Sequence, residues 1–392
     1  MEAADPIPKP PGRFYGELES ARGLAALLVA GFHCGQARFT IGETTAQLSK
    51  PSAHNSWPVL ESLFHLFVNP VSFPHLGVLF FFVLSGFVLT DSLQKGPRAP
   101  GTAGARFFLA RFFRIYPAII STVLVFWAAH ALFGLSMDPN GYSLSSILKN
   151  CALLAVNIDG VMWTIQIELL ALPLIFLAFF FRQRAGGLAL IALTILLCLL
   201  AFWGPWGRLV PGPPSRTQWL FLFPFGILAY HFGERFFARM PKSRLTVVFL
   251  LSTAVFFLAG SVVHHIWQNI VQAVTAAVVI AILAFGTPIA ASAILRTQLL
   301  RFLGRVSYSF YLLHPLALTI IWKRELLFGR WINQGVPPIV LALALWIVTT
   351  LAILPLAWLM YRLVEVPFVR FGKRLWKRLA APSLAEIRNP LC

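Results

Sequence analysis

Ten runs of mostly apolar residues, each close to the length that crosses a lipid bilayer, follow one another along this chain. A membrane-spanning helix needs about 20 such residues, because a rise of about 1.5 Å per residue must cover a hydrocarbon core of about 30 Å. The runs predict an all-α integral membrane protein, built as a bundle of about ten transmembrane helices. They lie at 18–37, 75–94, 110–133, 161–181, 187–203, 217–231, 245–261, 266–286, 303–323 and 338–362.

The composition supports lipid as the solvent. The chain has 58% hydrophobic and 12% charged residues, whereas a soluble domain carries about 25% charged residues. This excess of apolar side chains excludes a soluble enzyme, a disordered chain and a disulfide scaffold. The four cysteines have no metal-ligand spacing, so we expect no metal site.

The distribution of positive charge predicts the orientation. Of the 32 Lys and Arg residues, 24 fall on the side of the bundle that holds both termini and 8 on the other. Because basic residues favour the cytoplasmic side, both termini are predicted to be cytoplasmic. Charge divided between apolar runs also argues against nucleic acid as a partner. The expected domains are a cytoplasmic segment at 1–17, a transmembrane domain at 18–367 and a basic amphipathic cytoplasmic tail at 368–392.

Two ionisable residues in the first run are candidates for function, because charge inside a membrane is costly and normally faces protein or water. Arg22 and His33 stand eleven residues apart, which is about three helical turns, so both lie on one face about 16 Å apart. An imidazole with a pKa near neutral accepts a proton from a hydroxyl group. The alternative is a histidine that only bonds a neighbouring helix.

Other polar residues mark later runs. Arg111 and Arg114 are neighbours on one helix face. A pair of guanidinium groups suits phosphate, although such arginines also anchor helices to lipid headgroups.

Three further polar residues lie inside apolar runs. Glu168 needs a cationic partner inside the membrane, and the resulting ion pair is equally open to a structural or a catalytic role. His314 precedes a proline in the ninth run and is equally open to a packing or a chemical role. Ser85 starts a small Ser-Gly pair, which favours close helix packing.

Six motifs in this order resemble the acyltransferase-3 family, the bacterial membrane O-acyltransferases that modify surface polysaccharides, peptidoglycan and some secondary metabolites. The resemblance extends from about Leu18 to Pro367. The motifs are LESARGLAALLVAGFH, GVLFFFVLSGFVL, FFLARFFRIYP, WTIQIE, LGRVSYSFYLLHP and YRLVEVP.

The resemblance implies transfer of an acyl group, with acetyl expected, from cytoplasmic acyl-CoA to a hydroxyl of a carbohydrate or glycosylated acceptor. It implies a multi-pass protein of the bacterial inner membrane, with membrane lipids as its other partners and no metal. The donor-binding residues that it implies are Arg22, Arg111, Arg114 and Ser85. The catalytic residues that it implies are His33, Glu168 and His314.

The family's late tyrosine and its closing glutamate fall on Tyr311 and Glu365. Two positions depart from the family pattern: many members have an acidic residue where Leu79 stands and a serine where Gln166 stands. If that acid tunes the site, the preference for acceptor or acyl group differs in this chain.

The competing interpretation is a transporter or flippase of a polyprenol-linked sugar or a small anion, which would use the same intramembrane charges as a permeation path. The sequence has no inverted halves and no Gly- or Pro-broken helices in matching positions, which argues against it. Release of a free thiol from acyl-CoA separates the two functions, since a flippase releases none.

Overall fold

A computed structural model describes residues 15–35, 38–41, 44–47, 76–135, 142–203, 218–262, 265–322, 331, 334 and 336–387. The regular secondary structure of the described residues is helical apart from two four-residue strands, β1 (Arg38–Ile41) and β2 (Thr44–Gln47), which pair antiparallel after the first helix. The helices are α1 (Gly16–Gly35), α2 (Leu76–Gln94), α3 (Pro100–Phe133), α4 (Leu144–Cys151), α5 (Trp163–Trp203), α6 (Leu222–Phe237), α7 (Lys242–Val262), α8 (His265–Phe285), α9 (Gln298–Trp322), α10 (Pro338–Met360) and α11 (Val366–Ile387).

Several of these helices are long and apolar enough to cross a membrane, which supports a multi-pass membrane protein. Among the described residues there are six such segments, and α5 alone covers two of the predicted runs. Helix α6 has only 16 residues, and α1 and α9 carry charged residues inside their length. The count of about ten spans, the cytoplasmic termini and the three domain boundaries stay predictions. The six segments are Leu76–Gln94, Pro100–Phe133, Gly160–Ala201, Lys242–Ala259, Trp267–Phe285 and Ile339–Ala380.

Helix boundaries follow from local chemistry. Helix α3 begins ten residues before its predicted start, with Pro100 in its first turn, where the missing N–H costs no hydrogen bond. It ends where Gly134 adopts a left-handed conformation (φ 61°) and donates its N–H to the His130 carbonyl. Within α5, Gly186 has φ 80° and ψ −175°, which breaks the helical path between the predicted runs 161–181 and 187–203.

Helices α1 and α9 run parallel and in close contact at the centre of the bundle. A Cβ atom at Gly23 would come within 2.6 Å of the Gly304 backbone nitrogen, so only small residues allow this approach. Arg22 lies opposite Ser307. About three turns further along α1, His33 lies opposite His314. The two helices therefore define a common axis with an arginine end and a histidine end.

Helix α2 lies beside this pair in the opposite direction. Gly77 near its start packs on Val29 of α1, and Phe87 near its other end contacts Tyr15 edge-on. Helix α6 crosses α2 so closely that a Cβ atom at Gly226 would overlap the backbone of α2. Residues of α6 are largely buried as a result, and its short length is shielded by its neighbours.

Candidate active site

A cavity of about 260 Å³ lies between α1, α2, α3, α5 and α9. It begins near the start of α1 and extends along the common axis of α1 and α9 toward the histidine end. Its lining residues are Tyr15, Leu18, Glu19, Arg22, Val78, Phe81, Phe82, Leu84, Ser85, Val88, Leu89, Arg111, Arg114, Ile115, Thr164, Ile165, Glu168, Ser307, Tyr308 and Tyr311.

One end of the cavity is rich in hydrogen-bond donors. Arg22 donates from Nε to Ser307 Oγ (2.9 Å) and from a terminal nitrogen to the Gly304 carbonyl (2.6 Å), which fixes its guanidinium group on α9. Arg111 Nε and the Tyr308 hydroxyl are both buried and have no hydrogen-bond partner within the described part of the chain. Buried polar atoms normally have partners, so this end of the cavity fits a ligand with several acceptor oxygens.

The charges at this end do not cancel. Three guanidinium groups, those of Arg22, Arg111 and Arg114, line the cavity together with the carboxylates of Glu19 and Glu168. Arg22 interacts electrostatically with both carboxylates. One positive charge is left in excess, and in a site away from bulk water it attracts an anionic group such as a phosphate.

The opposite end of the cavity is aromatic and aliphatic. The Tyr311 hydroxyl donates to the Val161 carbonyl (3.1 Å) and accepts a hydrogen bond from the Thr164 hydroxyl (2.9 Å), which holds the phenol ring in one position. The ring of Phe81 packs edge-on against it, at 5.9 Å between centroids. Tyr311 thereby forms a fixed part of the wall at this end of the cavity.

A pair of histidines lies immediately beyond Tyr311. The rings of His33 and His314 are 5.3 Å apart, and those of Tyr311 and His314 are 5.8 Å apart. His314 is fully buried, and its Nδ1 lies 2.7 Å from the Tyr311 carbonyl. Since a carbonyl only accepts, Nδ1 is the donor, and a neutral His314 carries its lone pair on Nε2, which is buried without a partner in the described residues. His33 is only half-buried.

A family model described as an acyltransferase domain (Acyl_transf_3) matches residues 15–362 of the chain. The chain belongs to the acyltransferase-3 family. Nodulation protein 10 of Rhizobium leguminosarum bv. viciae is 27% identical to this acyltransferase over 340 residues, which cover 77% of this chain and 84% of that protein. No solved structure matches the chain.

The family match confirms the identification made from the six motifs, and favours an acyltransferase over a flippase. Of the residues that the sequence singled out, all four donor-binding candidates line the cavity of this acyltransferase, as does Glu168. His33 and His314 are not among its lining residues: they contact each other next to Tyr311. The roles assigned to these seven residues stay predictions.

Two polar residues of the site, Glu19 and Thr164, were not singled out by the sequence. Glu19 lines the cavity one helical turn before Arg22, and this i, i+3 spacing could have indicated it. Thr164 supports Tyr311 and carries no signal of its own. Glu365, which the resemblance had already indicated as the closing glutamate, is buried in a π-helical turn (Tyr361–Glu365) and accepts hydrogen bonds from the Ser309 backbone N–H and hydroxyl. Such turns are often found at functional sites.

Asp159 is a further buried polar residue, and it lies beside the aromatic end of the cavity, next to Val161 and Tyr311. It caps the short 3₁₀ turn Gly160–Met162 by accepting the Val161 N–H, and its second carboxylate oxygen has no partner in the described residues. Burial raises the pKa of the Asp159 carboxyl well above its usual range, against the opposing effect of the Val161 N–H. Because Asp159 fixes the Val161 backbone through its N–H, it also helps to orient the Val161 carbonyl, which accepts the Tyr311 hydroxyl.

In the part of the chain that the structure describes, no group of three His, Cys, Asp or Glu residues is placed to hold a metal ion.

Proposed function

We propose that this membrane acyltransferase transfers an acyl group, with acetyl expected, from cytoplasmic acyl-CoA to a hydroxyl of a carbohydrate or glycosylated acceptor. The observation that carries the proposal is the arrangement of the cavity: arginines line one end, and a pair of histidines lies next to Tyr311 at the other end. Such a cavity accommodates an anionic donor at its arginine end, and a base lies next to Tyr311 at its other end. The bacterial cytoplasmic membrane is the expected location, which agrees with a relative from a bacterium.

The arginine end supports a phosphate-bearing donor. In this proposal Arg111 and Arg114 bind phosphate oxygens, and the unpartnered Arg111 Nε and Tyr308 hydroxyl supply further donors. Arg22 already donates two hydrogen bonds to α9, so its guanidinium group is fixed. It contributes positive charge to the site and does not move to enclose the phosphate. Glu168 lies among these groups, which supports a role in balancing and orienting their charge.

The histidine pair supports general base catalysis. His33 is the group that takes the proton of the acceptor hydroxyl, because it is half-buried while His314 is fully buried. The hydroxyl oxygen then attacks the thioester carbonyl: a C–O bond forms, the C–S bond breaks, and the departing thiolate takes the proton back from His33. His314 packs against the His33 ring and positions it.

Holding both substrates in a fixed relative orientation contributes much of the rate. Acceptor and donor approach from opposite ends in this scheme, because the histidine end of the axis lies away from the arginines. The acceptor therefore reaches His33 without displacing the donor.

The test is release of free thiol from acetyl-CoA by the purified chain in nanodiscs, for the wild type, His33→Ala and Arg114→Ala. Removal of a general base is expected to slow turnover by about 100-fold or more, with acetyl-CoA binding kept. Loss of the Arg114 charge is expected to weaken binding by about tenfold, which corresponds to about 1.4 kcal/mol.

Two variants serve as matched controls. His130 lies in the last turn of α3 and stacks on Tyr142, away from the cavity, so His130→Ala is expected to keep activity. Arg106 lies on the same helix as Arg114 but does not line the cavity, so Arg106→Ala is expected to bind acetyl-CoA normally. Normal turnover by a folded His33→Ala protein would refute the role of His33. Wild-type protein that binds no acyl-CoA and releases no thiol would refute the function.

A further inference from the structure

We infer that the aromatic end of the cavity is the binding site for the acyl group, and that Phe81 limits this group to a short chain of the acetyl class. The inference rests on the proposed function, because it names the substrate class of the same site. It concerns selectivity between donors, which is measured independently of the activity itself.

The first argument is the gradient of polarity along the cavity. Helix α2 lines most of its length, with Val88 and Leu89 toward the arginine end and Val78, Phe81 and Phe82 toward the histidine end. On α5 the lining residues Thr164 and Ile165 lie toward the histidine end, and Glu168, one turn later, lies toward the arginine end. All charged lining residues lie at the arginine end, so the histidine end favours an apolar group.

The second argument is the position of the reaction. An acceptor activated by His33 must attack a thioester carbonyl near the histidine pair. Because Tyr311 both lines the cavity and contacts His314, the carbonyl has to lie beside Tyr311. The acyl chain attached to that carbonyl then lies among the aromatic side chains at the same end.

The third argument is that these walls are fixed. Tyr311 is held by hydrogen bonds on both sides of its hydroxyl. Phe82 packs against Phe223 at 5.0 Å and Trp163 at 6.3 Å between ring centroids. Phe81, partly buried, packs edge-on against Tyr311 and completes the wall. Close-packed aromatic walls do not expand readily to admit extra methylene groups.

Phe81 is the wall residue best suited to set the length. It contacts Tyr311 directly, and its side chain is less enclosed than that of Phe82, which is 3% exposed. One methylene that does not fit a hydrophobic site changes selectivity by about tenfold or more. Acetyl-CoA is therefore expected to be preferred over butyryl-CoA by a factor of about 100.

The experiment compares thiol release from acetyl-, butyryl- and hexanoyl-CoA without acceptor, for the wild type, Phe81→Ala and Phe81→Leu. The ratio of kcat/KM for butyryl-CoA to that for acetyl-CoA is expected to rise at least tenfold in Phe81→Ala and less in Phe81→Leu. Phe80→Ala is the matched control, since Phe80 lies on the same helix, packs against Phe256 and does not line the cavity. Its ratio is expected to stay at the wild-type value.

Two results overturn the inference while the proposed function stands: a wild type that uses butyryl-CoA as well as acetyl-CoA, or folded Phe81 variants with an unchanged ratio. The thermal unfolding midpoint establishes that each variant is folded, and Phe81→Leu supplies the result if Phe81→Ala does not fold. A wild type that binds none of the three donors and releases thiol from none of them is a different outcome: it refutes the proposed function, and this inference with it.

Discussion

Substitution of Gly23 by alanine tests whether the contact between α1 and α9 organises the site. The new Cβ atom would lie 2.6 Å from the Gly304 nitrogen and 2.8 Å from the Leu303 carbonyl carbon. Both obstacles are backbone atoms, which no rotamer change removes. Restoring an ordinary contact of 3.4 Å requires α9 to move by about 0.8 Å.

This displacement also reaches the arginine end of the cavity. Movement of α9 by that amount along the line between the helices stretches the Arg22 Nε–Ser307 Oγ distance from 2.9 Å to about 3.7 Å, which is too long for a hydrogen bond. Overpacking costs about 1–3 kcal/mol, and a lost hydrogen bond to a charged group adds about 1.5–3 kcal/mol. We expect Gly23→Ala to destabilise the protein by about 3 kcal/mol.

Thermal unfolding in nanodiscs, followed by tryptophan fluorescence, measures the loss of stability, and the KM for the proposed donor, acyl-CoA, reports on Arg22. We expect a lower midpoint and a higher KM. Gly101→Ala is the matched control, because a Cβ atom there meets nothing within 4 Å, and its effect is expected within about 0.5 kcal/mol. A Gly23→Ala protein with the midpoint and KM of the wild type would show that the two helices do not depend on this contact.

Two further substitutions probe buried carboxylates. Asp159→Asn keeps a side-chain cap on its turn but cannot ionise. Since the folded pKa of Asp159 is raised, the wild type is most stable below the unfolded pKa of about 3.9 and loses that stability as pH rises. The stability of Asp159→Asn relative to wild type should therefore increase between pH 4.5 and pH 7, and an equal difference at both pH values would contradict this. Glu365→Ala leaves the Ser309 N–H and hydroxyl without their acceptor and is expected to cost about 2–3 kcal/mol in chemical unfolding, whereas Glu365→Gln retains an acceptor and should cost less; equal losses would contradict it.

Much of the helical arrangement was predictable, because lipid demands long apolar runs. Helix α2 (Leu76–Gln94) matches its predicted run at 75–94 within one residue at each end. Where a helix start or a helix break differs from the predicted runs, the cause is a local residue that hydropathy does not detect. Pro100 starts α3 within a polar, Gly- and Ala-rich stretch, and the break at Gly186 depends on a backbone conformation that hydropathy cannot register.

The residues of the site were predictable where burial of charge is costly. Arg22, His33 and Glu168 stand out inside apolar runs for that reason. Their grouping was not predictable, because it depends on the register between helices distant in sequence. Arg22 meets Ser307, 285 residues away, and that register is set by the close approach of Gly23 and Gly304. Nothing in the local sequence of either helix specifies the other as its partner.

The separation of the histidines from the cavity has the same origin. Eleven residues of α1 place His33 about 16 Å from Arg22, and α9 places Tyr311 and His314 on successive turns alongside. The same helix pair therefore fixes the arginine end, Tyr311 and the histidine pair in order along one axis.

Helices α1 and α9 line this cavity, yet neither is apolar enough to be recognised as a span among the described residues. The reason is physical: a helix surrounded by other helices has little contact with lipid, so it can carry arginine, glutamate and histidine whose partners are protein groups. Helices on the outside of the bundle have no such freedom, and α10 exposes Ile347, Val348 and Leu351. In a membrane enzyme of this kind, the predicted spans with the weakest hydropathy are therefore the first place to look for catalytic residues.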